Sequence, residues 1–275
     1  MLIAQLTDTH ITRLGQLAYG VVDTAQCLER AVAAVNELSP APDIVVLTGD
    51  LVDNGKAEEY GLLCALLAPL RMPAFVIPGN HDAREPMREA FAGGGYLPTH
   101  GFLHYTIEDW PLRLVALDTL VPGEVGGTLC AERLDWFERA LAAAPQRPTL
   151  VLMHHPPFAT GIVAMDRMGY SEPAGFAEIV RRHPQIERIL CGHLHRTIDR
   201  RFAGTVAGTA PSTAHQIALE LVPEPRLGFV SEPPGYQLHL WDGEALVTHT
   251  AVLGKWPRLP LRRAAQPSGQ PPGGS

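Results

Sequence analysis

Gly79-Asn80-His81-Asp82 is the stretch from which the architecture of this chain can be inferred. It directly follows the apolar run Phe75 to Ile77, so polar side chains begin where a predicted buried strand ends. Four more polar groups follow runs of the same kind: Asp8-Thr9-His10, Gly49-Asp50, His154-His155-Pro156 and Gly192-His193-Leu194-His195. Open α/β sheets place their sites at the carboxyl ends of strands. We therefore expect all five groups to meet at that rim of one sheet.

The segments between the first three strands have helical spacing. Asp23-Thr24 predicts a helix start, and a second helix is predicted over Ala57 to Leu70. Two successive β-α-β units imply right-handed crossovers and a parallel start to the sheet. Farther along, residues 102–107 and 112–117 predict an antiparallel hairpin, and Leu134, Phe137 and Leu141 mark another helical face.

The last part of the chain changes to strands, predicted at residues 197–202, 215–221, 235–241 and 245–252. The simplest construction is a four-layer α/β/β/α sandwich, in which two packed mixed sheets are flanked by helices. We expect one domain over residues 1–263 and a disordered tail rich in Pro and Gly over residues 264–275. The long 157–175 segment is predicted to be a loop over the site and a candidate lid.

Composition excludes several classes of partner. The 275 residues are 46% hydrophobic and 19% charged, which is typical of a globular domain. A net charge of −7 argues against a nucleic-acid polymer as the main partner, because backbone binding requires clustered Lys and Arg. The longest apolar stretch, Leu62 to Leu70, is about half of what a membrane span requires.

The N-terminus and the cysteines predict a cytoplasmic protein. Met1 to Leu6 has no basic lead and Asp8 follows at once, unlike a signal peptide. The four cysteines have no CxxC spacing, so we expect buried free thiols rather than disulfides or metal ligands. They are Cys27, Cys64, Cys130 and Cys191.

The five polar groups predict a centre for two divalent metal ions. Asp50 is the natural bridging carboxylate, because a pair of cations needs a shared anion. We expect one ion to be completed by Asp8, His10 and His195, and the other by Asn80, His154 and His193. One residue separates the ligands of Asp8-Thr9-His10, so an extended strand end would point both side chains the same way. These ligands suit Mn, Fe, Zn and Co alike.

His81 is adjacent to a ligand and is expected to face the substrate rather than a metal. There it could stabilise phosphate charge or protonate a departing alkoxide. Asp82 is expected to orient His81 or to cap a helix, and Asp53 and Asn54 to cap the following helix, with substrate contact as the alternative.

The ordered set of motifs resembles the signature of the calcineurin-like metallophosphoesterases. Within that superfamily the chain is most similar to class III cyclic nucleotide phosphodiesterases and bacterial dinuclear glycerophosphodiesterases. This subgroup similarity includes Tyr19-Gly20, the run from His154 to Pro157, Met165-Asp166 and His215-Gln216. The resemblance implies the four-layer fold, two divalent or mixed-valent metal ions, phosphodiester activity and a homodimer or larger homo-oligomer. Purple acid phosphatases of the superfamily need a Tyr ligand where this chain has Asp53.

Charge counting favours a small phosphodiester as substrate. Two divalent cations carry four positive charges, and Asp8, Asp50 and a hydroxide cancel about three, which suits a monoanionic diester. We expect a metal-bound hydroxide to attack phosphorus in line, with 3′,5′-cyclic nucleotides ahead of glycerophosphodiesters. Asn80, His81 and His215 are the candidate substrate contacts. A phosphomonoesterase, which would want an added Arg, and a catalytically silent metal-binding scaffold are the alternatives.

Overall fold

The structure is a computed structural model that describes residues 1–171, 173–222, 226–257 and 259. In chain order, the first half contains β1 (Leu2–Leu6), α1 (Thr24–Asn36), β2 (Ile44–Leu47), α2 (Ala57–Leu67), β3 (Ala74–Val76), α3 (Arg84–Ala90), β4 (Tyr105–Ile107), β5 (Arg113–Ala116) and α4 (Ala131–Ala142). The second half contains β6 (Thr149–Leu152), α5 (Val163–Asp166), α6 (Pro173–Arg182), β7 (Ile186–Cys191), β8 (Ile198–Phe202), β9 (Thr205–Thr209), β10 (Gln216–Ile217), β11 (Phe229–Val230), β12 (Gly235–Trp241) and β13 (Leu246–Val252).

Two mixed sheets contain most of these strands. The first has the order β13-β12-β1-β2-β3, with β1, β2 and β3 parallel and β12 antiparallel to β1. The second has the order β4-β5-β6-β7-β9-β8, with β5, β6, β7 and β9 parallel. The predicted hairpin is β4 and β5, which pair antiparallel.

Alternation along the strands builds three apolar cores and therefore four layers. On β2, Val45 and Leu47 pack into the cluster that contains α1 and α2, whereas Ile44 and Val46 pack between the sheets. On β6, Val151 packs against α4 and α6, and Leu150 faces the first sheet. The predicted α/β/β/α sandwich is confirmed, because each sheet buries both faces.

The motif positions predicted that the five strands before the motifs belong to one sheet, and this prediction is wrong. β1, β2 and β3 lie in the first sheet, whereas β6 and β7 lie in the second. A hydrogen bond joins the sheets near the shared rim, where the Gln5 amide of β1 donates to the Cys191 carbonyl oxygen of β7 (2.9 Å). The site therefore lies between two sheets whose parallel strands end side by side.

Several element bounds differ from the prediction. α2 ends at Leu67 rather than Leu70, because Pro69 has no backbone N–H with which to continue the helical hydrogen bonds. The strand predicted over residues 215–221 is reduced to β10, and α3 and β9 were not predicted. The 157–175 segment is not only loop, since it contains α5.

Other predictions are confirmed in part or lie outside the described residues. The four cysteines are free, but Cys130 is exposed and only Cys27 and Cys191 are buried. No helix in the described part of the chain is long and apolar enough to cross a membrane. The predicted tail, residues 264–275, is outside the described residues.

Candidate metal centre

The predicted ligands converge on Asp50. Its Oδ2 lies 3.4 Å from His154 Nε2 and 3.7 Å from His10 Nε2, so one oxygen faces a histidine of each predicted metal set. On one side, His195 Nε2 lies 3.3 Å from Asp8 Oδ1 and 3.2 Å from His10 Nε2. The other set extends from His154, whose Nε2 lies 3.3 Å from Asn80 Oδ1 and whose ring centroid is 5.2 Å from that of His193.

The backbone at these ligands is left-handed rather than extended, which corrects the prediction from strand geometry. The φ angles are positive at five predicted ligands: Asp8, His10, Asp50, His193 and His195. Non-glycine residues seldom adopt this conformation, which concentrates at functional sites. The residues between the ligands point elsewhere: Thr9 donates to the Leu51 carbonyl oxygen (2.6 Å), and Leu194 packs with Ile162. The ligands share one side because the loops are strained, not because the strands continue.

Two motif glycines are required by close approach of the ligands. A Cβ on Gly79 would lie 2.2 Å from Asp50 Oδ1, and a Cβ on Gly49 would lie 2.5 Å from His154 Nδ1. Cβ atoms essentially never lie within 3.0 Å of another residue's atoms. The glycines therefore make room for the side chains of the centre.

Hydrogen bonds orient the predicted ligand histidines. His154 Nδ1 donates to the Thr48 carbonyl oxygen (2.8 Å), His195 Nδ1 to the His215 carbonyl oxygen (2.9 Å), and His193 Nε2 to the Met168 carbonyl oxygen (3.0 Å). A carbonyl oxygen only accepts, so the proton is on the bonded nitrogen and the other nitrogen of the neutral ring carries a lone pair. Such partners are typical of metal-binding histidines.

His155 contrasts with these rings and is not suited to bind a metal. It accepts from Thr119 Oγ1 at Nδ1 (2.8 Å) and donates from Nε2 to the Val125 carbonyl oxygen (3.0 Å). Both ring nitrogens are therefore occupied.

His81 lies at the edge of the cluster, as expected for a group that faces substrate. Its backbone N donates to Asp50 Oδ1 (2.9 Å), and its Nδ1 donates to the Asp53 carbonyl oxygen (2.9 Å), which leaves Nε2 available. The ring is 4.7 Å from His10 between centroids.

The two acidic residues near His81 have other partners than predicted. The Asp82 carboxylate neither orients His81 nor caps a helix, because it accepts from the backbone N of Leu51 (3.1 Å) and Gly79 (2.8 Å) and from Tyr60 Oη (2.8 Å). Asp53 is not the cap of α2, whose N-cap is Lys56. The sequence did not predict that Asp53 contacts His10. Asp53 Oδ1 lies 3.3 Å from His10 Nδ1.

Burial and charge separate the protonation states of the ligands. Burial raises the pKa of Asp8, but the charge and hydrogen bond of His195 outweigh it and lower the pKa to about 2. Burial also opposes ionisation of Asp50, yet the charge of His154 keeps the Asp50 pKa well below its usual value. Burial and the charge of His154 lower the pKa of His193 to about 4, and burial lowers the pKa of His10. Burial opposes the charge of His154, but the charge and hydrogen bond of Asp50 outweigh burial and raise the pKa of His154 to about 9. Without a metal ion, the cluster at neutral pH therefore contains ionised Asp8 and Asp50, neutral His10 and His193, and a protonated His154.

His215 lies close to both His10 and His195, Tyr19 packs against it, and the Arg84 guanidinium is bound to other groups. The His215 ring centroid is 4.7 Å from that of His195, and burial lowers its pKa to about 3. Tyr19 packs against His215 at 5.1 Å between centroids. Arg84 is held away, because its guanidinium donates to the Asp118 carboxylate (2.6 and 2.9 Å) and to the Leu120 carbonyl oxygen (2.6 Å).

The residues present fit divalent metal ions. Ligand atoms of Asp8, His10 and Asp50 all lie within 4.8 Å of one another and are buried. The 3.2 Å between His10 Nε2 and His195 Nε2 is about the separation of two nitrogens that each lie about 2.1 Å from one ion. Bound metal ions would stabilise buried carboxylates beside imidazole lone pairs.

The sequence model of the calcineurin-like phosphoesterase family matches residues 1–197 of this chain. The chain belongs to that family. Several relatives with phosphodiesterase names align with most of its length. A probable glycerophosphodiester phosphodiesterase GpdQ of Arcobacter nitrofigilis is 38% identical, over 93% of this chain and 94% of the relative. A probable cyclic nucleotide phosphodiesterase of Rhodopseudomonas palustris is 36% identical, over 89% of each. The 3′,5′-cyclic adenosine monophosphate phosphodiesterase CpdA of Pseudomonas aeruginosa is 34% identical, over 79% of this chain and 78% of the relative.

Solved structures agree on the fold. A dimetal phosphatase from Danio rerio superposes with a TM-score of 0.61 at 14% identity, covering 90% of this chain and 98% of that one. Purple acid phosphatase PPD1 from yellow lupin superposes with a TM-score of 0.65 at 15% identity, covering 92% of this chain and 51% of that one. At these identities the likeness concerns architecture only.

Proposed function

We propose that this chain is a dinuclear metal-dependent phosphodiesterase that hydrolyses small phosphodiesters, with 3′,5′-cyclic nucleotides ahead of glycerophosphodiesters. The observation that carries the proposal is the set of oriented histidines around Asp50, each with one nitrogen bonded to a backbone carbonyl or lying beside a carboxylate. The relatives named as glycerophosphodiester and cyclic nucleotide phosphodiesterases support the same reaction class.

Each metal would be held by four side chains, with Asp50 shared. One set is Asp8, His10, Asp50 and His195, and the other is Asp50, Asn80, His154 and His193. When bound, the ions would offset the phosphate charge and lower the pKa of water towards neutrality, which the protein side chains alone cannot do. Mn, Fe, Zn and Co all suit these ligands.

His81 would act on the departing ester oxygen. Its Nδ1–H is bonded to the Asp53 carbonyl oxygen, so Nε2 is free to carry a second proton and donate it. Burial disfavours that charge, but the nearby Asp50 carboxylate outweighs burial and raises the pKa of His81. Bound cations would share the Asp50 charge and reduce this rise.

The position of Arg84 supports a diester over a monoester. A dianionic monoester would need one more positive charge than the proposed centre supplies. Arg84 follows the Gly79-Asp82 group closely in sequence, yet its guanidinium is neutralised by Asp118, with N–O distances of 2.6 and 2.9 Å. It is therefore not available to a phosphate.

The test compares two chromogenic substrates after metal removal. The protein is treated with a chelator, reloaded with Mn²⁺, and assayed on bis(p-nitrophenyl) phosphate and p-nitrophenyl phosphate. We expect activity to return with Mn²⁺ and kcat/KM to be higher for the diester. Preference for the monoester would support a phosphomonoesterase, and no recovery on either substrate would support a metal-binding scaffold.

We further propose that residues 1–263 act as one catalytic domain in a homodimer or larger homo-oligomer in the cytoplasm. The free cysteines support a reducing compartment. Exposed apolar side chains support self-association, among them Leu14, Val21, Leu219 and Leu221. Light scattering of the purified protein measures its mass and would contradict the oligomer if it gave the monomer.

A further inference from the structure

A row of aromatic rings leads from the candidate metal centre to the surface. The His215 ring centroid lies 5.3 Å from that of His10. Tyr19 lies on the outer side of His215, at 5.1 Å, and Phe229 lies 4.5 Å from Tyr19 and 5.5 Å from His215. The row ends in two residues, Tyr19 and Phe229, which we call the aromatic pair.

Two separate hairpins build the aromatic pair. Tyr19 lies in a tight turn closed by Ala18 and Val22, whose backbone groups pair across it. Its φ of 52° and the φ of 71° at Gly20 are both left-handed, as a tight hairpin turn requires of its two central residues. Phe229 begins β11 and pairs with Ile217 of β10, which follows His215 directly. Two segments that are far apart in sequence, one with Tyr19 and one with Phe229, therefore place two rings beside the same histidine.

The aromatic pair remains open to solvent. Tyr19 is 56% exposed and Phe229 is 38% exposed. Large aromatic side chains are usually buried more fully, so these rings have free surface that a ligand could cover. Because the His215 ring connects them to His10 and His195, a ligand on the aromatic pair could reach the metal centre with its phosphate.

We propose that the aromatic pair binds the nucleobase of a nucleotide substrate, and that it thereby selects nucleotide diesters over glycerol diesters. This inference rests on the proposed phosphodiesterase function. Every nucleobase has a flat face that can stack on an aromatic side chain, whichever base it is. It is separated from the phosphate by a sugar, as the aromatic pair is separated from the ligands by His215. A glycerol group is small and polar and gains little from two aromatic rings.

The experiment measures inhibition by 5′-AMP and by ribose 5-phosphate, which differ only in the base. Both are tested as competitive inhibitors of bis(p-nitrophenyl) phosphate hydrolysis by the Mn²⁺-loaded enzyme. In the natural chain we expect AMP to bind more tightly. Tyr19→Ala should weaken AMP binding by about 5- to 100-fold, the range for loss of one stacked base, and leave ribose 5-phosphate nearly unchanged. Phe229→Ala should act in the same direction, and Tyr19→Phe should retain the preference.

Trp256→Ala is the matched control, since Trp256 is an exposed aromatic (69%) outside the row of rings. It should leave both inhibition constants unchanged. Equal inhibition by AMP and ribose 5-phosphate in the natural chain would overturn the inference. An unchanged ratio of the two inhibition constants in Tyr19→Ala would also overturn it. This holds even if light scattering shows that the variant has lost subunit association.

Failure of the proposed function is distinguishable from failure of this inference. If the Mn²⁺-loaded chain does not hydrolyse the aryl diester, the proposed function is wrong, and calorimetry then measures direct binding of AMP and ribose 5-phosphate. If the diester is hydrolysed and the base has no effect on affinity, only the role of the aromatic pair is wrong.

Discussion

The buried Asp50 carboxylate lies between the two sets of predicted ligands, so its removal tests the proposed bridging role. Oδ2 faces His10 and His154, while Oδ1 accepts from the His81 backbone. We expect Asp50→Ala to lose both metals and to lower kcat/KM by on the order of 10³-fold or more, since charge stabilisation of several kcal/mol is lost. Mass-spectrometric metal analysis of the purified variant checks this. Two retained metals with full activity would refute the bridging role.

His81→Ala is the paired variant, because His81 contacts Asp50 through its backbone N, which alanine keeps. We expect metal content to stay at the natural value while kcat falls by about 10²- to 10⁴-fold, the usual contribution of a general acid. The same metal analysis and steady-state kinetics measure both quantities. Loss of metal in this variant would place His81 among the ligands instead.

A substitution at Gly79 tests whether this motif position requires glycine because of close atomic approach or because of backbone flexibility. Gly79→Ala would place a Cβ 2.3 Å from the Asp50 backbone N, so the loop must move. We expect a loss of about 1–3 kcal/mol in the free energy of unfolding and weaker metal binding. Gly61→Ala is the control: Gly61 is in α2 with no atom within 4 Å of a new Cβ, and alanine there should add up to about 1 kcal/mol. Urea unfolding of the metal-free proteins measures both, and equal effects would contradict the steric explanation.

At the scale of elements, short loops rather than regular strands shape the centre. The 157–175 segment contributes the Met168 carbonyl oxygen that accepts from His193 Nε2. Asp166 at the end of α5 organises this segment, since its carboxylate accepts from Thr160 N (2.7 Å), Thr160 Oγ1 (2.8 Å) and Gly161 N (3.0 Å). The segment predicted as a candidate lid therefore also orients a predicted ligand.

We expect Asp166→Ala to weaken metal binding by about 10- to 100-fold, the usual effect of losing support behind a ligand. Calorimetric titration of the chelator-treated protein with Mn²⁺ gives the affinity. Asp242→Ala is a matched control, because Asp242 accepts from the backbone N of Glu244 and Ala245 in the β12–β13 turn. If both variants bind Mn²⁺ like the natural chain, the 157–175 segment does not support the centre.

At the scale of the whole molecule, buried neutral histidines make stability depend on pH. His239 in β12 is buried between Gln5 Oε1 (3.0 Å) and Thr248 Oγ1 (2.9 Å), and burial lowers its pKa to about 3. An unfolded histidine has a pKa near 6.5. Between about pH 6.5 and 3 the unfolded chain binds the proton and the folded chain does not, so stability falls as the pH falls.

Replacement of this histidine should remove its share of the pH dependence. Between pH 6 and 5, His239→Gln should lower the slope of unfolding free energy against pH by up to about 1.4 kcal/mol per pH unit. His249→Gln, at an exposed position of β13, should change the slope little. Urea unfolding of metal-free protein at several pH values measures the slopes. Equal slopes in the natural chain and His239→Gln would contradict the contribution.

Much of the fold was predictable because its signals are local. The mainly apolar runs of β1, β2 and β6 encode buried strands, and Asp23 caps α1 through the Gln26 backbone N as its position predicts. The motif residues follow these strands directly, so the candidate site was also predicted. The division of the strands between two sheets was not, because strand pairing depends on contacts between residues far apart in the chain.

The sequence by itself determined the strands that precede the motifs, the helices α1 and α2 between the first three of them, and the kinds of side chain at their carboxyl ends, because each depends on neighbouring residues. Only the tertiary structure decided which nitrogen each histidine presents, since Thr48 and His154 are 106 residues apart. It alone also brought Asp53 to His10 and Phe229 to Tyr19. Those contacts require loops from both sheets and a distant hairpin to meet, and packing of the whole chain, not local pattern, places them.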